Sequence, residues 1–208
     1  MNENVLVVPT VRIAPFLTGV FSSSNLDKAL EFILGNHSFR SRAIIEEDPS
    51  FKQIIPYVVI QHQDQFLLAR RTNRQTESRL HGKYSLGIGG HINDLEKPEA
   101  AEDVIQAGLE RELNEEVELL GTRVSLRLAG IISDDSTPVG TVHLGLVFIL
   151  QTDSPRFSIR ETELMTAEWA SIESLRQKFD LMESWSQIVF QNVIDAKSRR
   201  NAHEVTVQ

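Results

Sequence analysis

From Ile105 to Leu120 apolar residues recur at helical spacing, and this run limits the fold more than any other. At about 100° per residue, Ile105, Leu109, Leu113, Val117 and Leu120 form one stripe roughly 120° wide. A helix with such a stripe must bury it against another element. The pattern predicts a helix from Pro98, a residue suited to a first helical turn, to Leu120. Glu116 falls inside the stripe, Glu112 on its edge and Glu115 just beyond, whereas Glu110, Asn114 and Glu118 point away. A carboxylate on a core-facing side is expensive unless it is paired or metal-bound. The commoner arrangement, a solvated acidic face, would lie opposite the stripe. At i, i+3 and i+4 the three carboxylates also repel one another, by about 0.2–0.5 kcal/mol per pair even on an exposed surface. A hard divalent cation removes that repulsion, and carboxylate oxygens are the ligands Mg²⁺ prefers.

Strand patterns surround this helix. Ile54 to Gln61 is a β-branched and aromatic run, followed by a turn at His62–Gln65 and a returning strand from Phe66 to Arg70. Tyr84 to Ile92 is strand-like but carries Gly87, Gly89 and Gly90. Further strands are expected at 123–132, 139–152 and 165–170, and two closing helices at about 171–178 and 182–196. Strands mixed with helices predict one α/β domain with a mixed sheet over residues 51–197. Residues 1–50 read as an N-terminal extension packed on it. They hold a short strand at Val5–Val8 and a helix at Leu26–Leu34, capped by Ser24–Asn25. The tail, 198–208, is polar.

Composition narrows the function. A formal net charge of −8 disfavours nucleic acid and anionic membranes as partners. The absence of cysteine excludes disulfides, Cys-ligated zinc and thiol nucleophiles, and fits a cytoplasmic location. The first residues lack the basic stretch of a signal peptide, and no apolar run reaches the length of a membrane span.

Glycines in Gly87-Ile88-Gly89-Gly90-His91, just before the helix, allow backbone to approach a ligand closely, and carbonyls there can complete a metal shell. Downstream, Arg111-Glu112-Leu113-Asn114-Glu115-Glu116 resembles the core of the Nudix box, G-x5-E-x7-R-E-U-x-E-E-x-G-U, where U is aliphatic. Tyr84 to Ile92 looks like the family's approach strand, and Glu161 to Leu175, with Trp169, like its late acidic-strand-helix segment. The resemblance spans about residues 54–195 and implies a Nudix-type α/β/α sandwich. Within that superfamily the chain looks most like the MutT-family predicted phosphoesterases.

Two departures bear on the substrate loop. Gly90 to Arg111 is 21 positions, about seven more than the box pattern. The first Glu of the box therefore has no single equivalent: counting back from Arg111 gives Asp103, and counting forward from Gly90 gives Glu96. The Gly after the E-E pair is Glu118, with Gly121 expected to end the helix instead.

The resemblance implies that Glu112, Glu115 and Glu116 bind Mg²⁺, with Mn²⁺ substituting, and that the Gly90 carbonyl joins them. It implies that Arg111 orients a carboxylate and that Glu163 supplies an extra ligand or base. Water would attack a phosphoanhydride bond, with the metal neutralising the diphosphate. Arg70, Arg71, Arg74, Arg79 and Lys83 form a basic cluster that either clamps substrate phosphates or is a solvated loop. Gly89 and His91 are placed to line the substrate. His91 and His143 are either ligand contacts or hydrogen-bonded structural histidines.

The expected activity is hydrolysis of a nucleoside diphosphate-linked (NDP-X) or related small-molecule diphosphate. The alternative is a catalytically silent nucleotide-binding module on the same fold. An isopentenyl-diphosphate-isomerase-like enzyme is disfavoured, because that chemistry is associated with a Cys. The N-terminal extension is expected to form either a second wall of the cleft or the contact of a homodimer.

Overall fold

The protein is seen in a computed structural model that describes residues 3–72, 82–94, 103–160 and 162–196. The fold is mixed α/β with a large mixed sheet. In chain order the strands are β1 (Asn4–Pro9), β2 (Phe21–Ser22), β3 (Ser38–Ser41), β4 (Phe51–His62), β5 (Gln65–Arg71), β6 (Tyr84–Ser85), β7 (Gly87–Gly89), β8 (Val117–Leu119), β9 (Arg123–Ile132), β10 (His143–Thr152), β11 (Phe157–Ile159) and β12 (Met165–Ser171). The α-helices are α1 (Thr10–Ile13), α2 (Leu26–Asn36), α3 (Arg42–Ile45), α4 (Asp103–Glu116), α5 (Pro138–Thr141), α6 (Ile172–Gln177) and α7 (Ser184–Val189). By packing the chain divides into two compact units.

One unit comprises residues up to Val58, Ile88–Glu115 and Arg127–Phe148. Here β1 pairs antiparallel with both β3 and β4, in the registers Val5↔Arg40 and Val7↔Gln53. Both edges of β1 are therefore hydrogen-bonded, and Val5, Leu6, Val7 and Val8, alternating between its two faces, are all fully buried, so both faces are covered and the run is unbroken apolar. Val5 and Val7 pack with Ile45 and Phe51. The Leu6 amide donates to the Ile92 carbonyl, and that of Asp94 to the Asn4 carbonyl. Helix α2 forms where expected and buries Ala29 and Ile33, but the expected side-chain cap is not made: Asn25 sits in the left-handed region at φ 55°. The strand expected from 139 starts at His143. Pro138 in a first turn and the Thr137 hydroxyl, which accepts from the Gly140 amide, make one helical turn there instead.

The other unit comprises Val59–Gly87, Glu116–Leu126 and the chain from Ile149 onwards. Strand β5 pairs antiparallel with β12 from Met165↔Arg71 to Ser171↔Gln65, and joins the end of β4 through a turn with Gln63 at φ 51°. The helix predicted to reach Leu120 stops at Glu116. Val117–Leu119 is strand β8, in antiparallel register with β11, and the Arg160 amide donates to the Glu116 carbonyl. Val117 suits helical and extended periods equally, and its β-branch favours the strand once β11 is there to pair with. Leu120, 45% exposed, leaves the stripe, and Gly121 does not end the helix. Trp169 donates from Nε1 to the Pro155 carbonyl and meets Phe157 edge-on. The closing helices fall close to the expected positions. Ser171 caps α6 and Glu183 caps α7, which runs on into a π-helical turn at Phe190–Asp195.

Candidate active site

Helix α4 buries Ile105, Leu109 and Leu113 as its periodicity predicts. The box carboxylates follow the same wheel. The side chain of Glu115 is 53% exposed, that of Glu112 16% and that of Glu116 13%. Two of three carboxylates are thus largely withdrawn from water, and each meets a guanidinium. Arg111 Nη2 lies 2.8 Å from Glu112 Oε1 and Arg111 Nη1 3.1 Å from Glu115 Oε2. Arg111 Nη2 also donates to the His91 carbonyl at 2.6 Å, which ties the glycine turn to the helix. Arg71 Nη1 holds Glu116 Oε1 at 3.1 Å, and at 9% side-chain exposure it is more buried than its partner.

Gly90 explains how Glu112 is held. A Cβ at this position would overlap the Glu112 carboxylate, so only glycine lets that carboxylate lie against the main chain. This oxygen-only donor set, pressed against a bare backbone segment, fits a hard divalent cation such as Mg²⁺. Gly89 has a packing reason of its own, since a Cβ there would overlap the Pro56 carbonyl. A Cβ at Gly108, inside α4, would press on the Ile92 side chain.

The basic cluster separates. Arg71 is engaged with Glu116, whereas Arg70 is exposed with its guanidinium 5.6 Å from the Tyr84 ring centroid. Arg74 and Arg79 lie outside the described residues, as does Glu96. Of Asp103, the first residue of α4, only the backbone is described. Asp94 accepts from Asn4 Nδ2 at 2.8 Å. Glu163 is exposed, and its carbonyl accepts from Thr72 Oγ1.

His91 and His143 meet each other. Their Nε2 atoms are 3.1 Å apart and their ring centroids 5.2 Å apart. Burial above all, then the charges of Arg42, His143 and Arg111, pushes the His91 imidazole down to about 2, so it is neutral. Glu46 joins the pair, which no sequence pattern foretells, since it lies 45 positions before His91. Two buried polar residues of β4 also escaped the sequence reading. Lys52 donates to Asp135 Oδ1 and the Gly140 carbonyl. Gln53 is fully buried, with neither side-chain amide atom hydrogen-bonded among the described residues. No helix among the described residues is long and apolar enough to cross a membrane.

No family model matches the sequence. The chain is 34% identical over 198 residues to Protein YmaB of Bacillus subtilis (strain 168), covering 91% of this chain and 96% of that one. Among solved structures it resembles Tm1382, described as a candidate Nudix hydrolase, with 33% identity and a TM-score of 0.81 over 93% of this chain and all of that one. A NUDIX hydrolase from Nitrosomonas europaea matches at 25% identity and a TM-score of 0.50, over 71% of this chain and 89% of that one. Likeness along almost the whole chain thus joins the R-E-U-x-E-E helix and the glycine turn against it: the chain belongs to the Nudix hydrolase superfamily.

Proposed function

We propose that the protein hydrolyses the phosphoanhydride bond of a nucleoside diphosphate-linked (NDP-X) or related diphosphate, using Mg²⁺ held by Glu112, Glu115 and Glu116. The observation that carries this reading is the withdrawal of Glu112 and Glu116 from water, with Glu112 seated against Gly90. Carboxylates kept only for solubility would stay on the solvated face, where their charge carries no desolvation penalty. Bound Mg²⁺, or Mn²⁺ in its place, would neutralise the diphosphate and lower the pKa of the attacking water. Arg111 orients Glu112 and Glu115, Arg71 orients Glu116, and the Gly90 carbonyl is assigned to the same ligand shell. The exposed Arg70 suits the phosphate oxygens of the substrate. Glu163, also exposed, is assigned to accept the proton of the attacking water. Membership of the superfamily and the intact carboxylates of the R-E-U-x-E-E core favour an active enzyme over a silent binding module.

The test is a release assay across NDP-sugars, dinucleoside polyphosphates, NAD(H), coenzyme A and nucleoside triphosphates, run with Mg²⁺ and with Mn²⁺. The expected result is metal-dependent cleavage concentrated on one diphosphate class. Nucleotide binding without turnover under either metal would replace the hydrolase with a binding module.

A further inference from the structure

The His91–His143 pair and Glu46 belong to one unit of the structure, and none of them is among the carboxylates of α4. One ligand atom from each of the three lies within 4.8 Å of the other two. The His143 tautomer follows from its surroundings. Nδ1 lies 2.7 Å from the Val139 carbonyl, an acceptor only, so Nδ1 carries the proton and Nε2 a lone pair. Histidines that bind metals are commonly fixed this way, through an outer carbonyl that sets the free nitrogen. Nε2 of His143 faces His91 Nε2 at 3.1 Å. With metal–nitrogen bonds of about 2.0–2.1 Å, two imidazoles on one ion stand about 2.9–3.4 Å apart for bond angles between octahedral and tetrahedral values. The observed separation lies inside that range.

Glu46 supplies the charge. Its Oε1 accepts from Arg42 Nε at 2.9 Å, one of its carboxylate oxygens lies in the cluster, and the second charge contact of Arg42 goes to Glu3 at 3.0 Å. One carboxylate and two imidazoles face the ion, and one arginine stands behind that carboxylate, paired in turn with Glu3. We infer that Glu46, His91 and His143 form a second cation site, selective for a borderline divalent transition metal such as Zn²⁺, Co²⁺ or Cu²⁺ over Mg²⁺. Imidazole nitrogen suits those ions, whereas Mg²⁺ favours oxygen. Three protein ligands leave at least one coordination position for water or another small ligand. The ligands come from the residue that caps the C-terminus of α3, the end of the glycine turn and the first residue of β10, so the ion would fasten three segments of one unit.

The test uses the full chain in excess Mg²⁺, which occupies the oxygen-only site. Titration with Co²⁺ should show one equivalent bound, with visible d–d bands. The Cu²⁺ form should show electron-spin couplings to the nitrogens of two imidazoles. His143→Gln and Glu46→Gln should each weaken Co²⁺ binding at least about tenfold, whereas Glu115→Gln and His37→Gln should not. Either of two results overturns the inference: equal Co²⁺ affinity in the wild type and His143→Gln, or a wild-type Cu²⁺ spectrum without paired imidazole nitrogens. The histidines would then be a hydrogen-bonded pair only. The wild-type spectrum decides the matter even if His143→Gln does not fold. Because Glu115→Gln leaves this site whole, failure here and failure of the hydrolase reading remain distinguishable.

Discussion

Two arginines serve the carboxylates of α4, and they do so in different dielectric surroundings. Arg111 is 28% exposed and reaches Glu112 and the half-exposed Glu115, whereas Arg71 and Glu116 are both largely buried and meet at 3.1 Å. A pair near water gains little from its Coulomb attraction, because solvent screens it. A buried pair has given up solvation on both sides, so removing one partner strands the other. The two arrangements teach that one helix can carry an adjustable carboxylate and a fixed one. Screened by water, the Arg111–Glu115 contact can be exchanged for a ligand at little cost, whereas the buried Arg71–Glu116 pair cannot.

The largest effect should come from the carboxylates themselves. Glu115→Gln keeps the size and removes the charge of an exposed side chain, so kcat should fall by at least about a hundredfold with little change in Tm. Glu116→Gln should lose activity comparably and also lose stability, because Arg71 is left buried without its counter-charge. Equal Tm losses in the two variants would erase the distinction between adjustable and fixed.

Next comes Arg71→Ala, expected to cost about 3 kcal/mol of stability in denaturant unfolding, against about 1 kcal/mol or less for Arg111→Ala. If the two cost the same, the contrast in burial has no energetic meaning. Gly90→Ala should follow. The added methyl must displace the Glu112 carboxylate, so Mg²⁺ affinity should drop about tenfold while the fold persists; calorimetric titration that finds wild-type affinity would remove Gly90 from the account.

The smallest effect concerns pH. The pKa of His91 is depressed in the fold, so below its ordinary value near 6.5 the unfolded chain binds a proton that the folded chain refuses. Stability should therefore fall as pH drops from about 7 to 5 in the presence of a chelator. His91→Gln should flatten that slope, and identical slopes would show that His91 does not set it.

How much of this was legible depended on how far apart in the chain the parts lie. The carboxylates of α4 are helical neighbours, so a wheel drawn from sequence places them correctly relative to the apolar stripe. The end of the helix was not legible, because Val117 satisfies a helix and a strand alike and the partner that decides between them, β11, lies about 40 residues on. The same limit hid the role of Arg71, whose partner is 45 positions away. It also hid the Glu46–His91–His143 cluster, assembled across intervals of 45 and 52 residues. In the local β4–β5 hairpin the sequence places β5 to within one residue at either end and β4 to within three.

The early stop of α4 has an electrostatic consequence. Ending at Glu116 places Glu115 and Glu116 in the final turn and Glu112 one turn back, with no basic residue in that last turn. The aligned peptide dipoles of a helix leave roughly half a negative charge at its C-terminus, the end where acidic side chains are least welcome. Side-chain charge and main-chain dipole therefore add up to one focused negative potential, made by the backbone as much as by the glutamates. Had the helix run on to Leu120, that partial charge would have lain a turn further along, and the glutamates would have faced a cation without it.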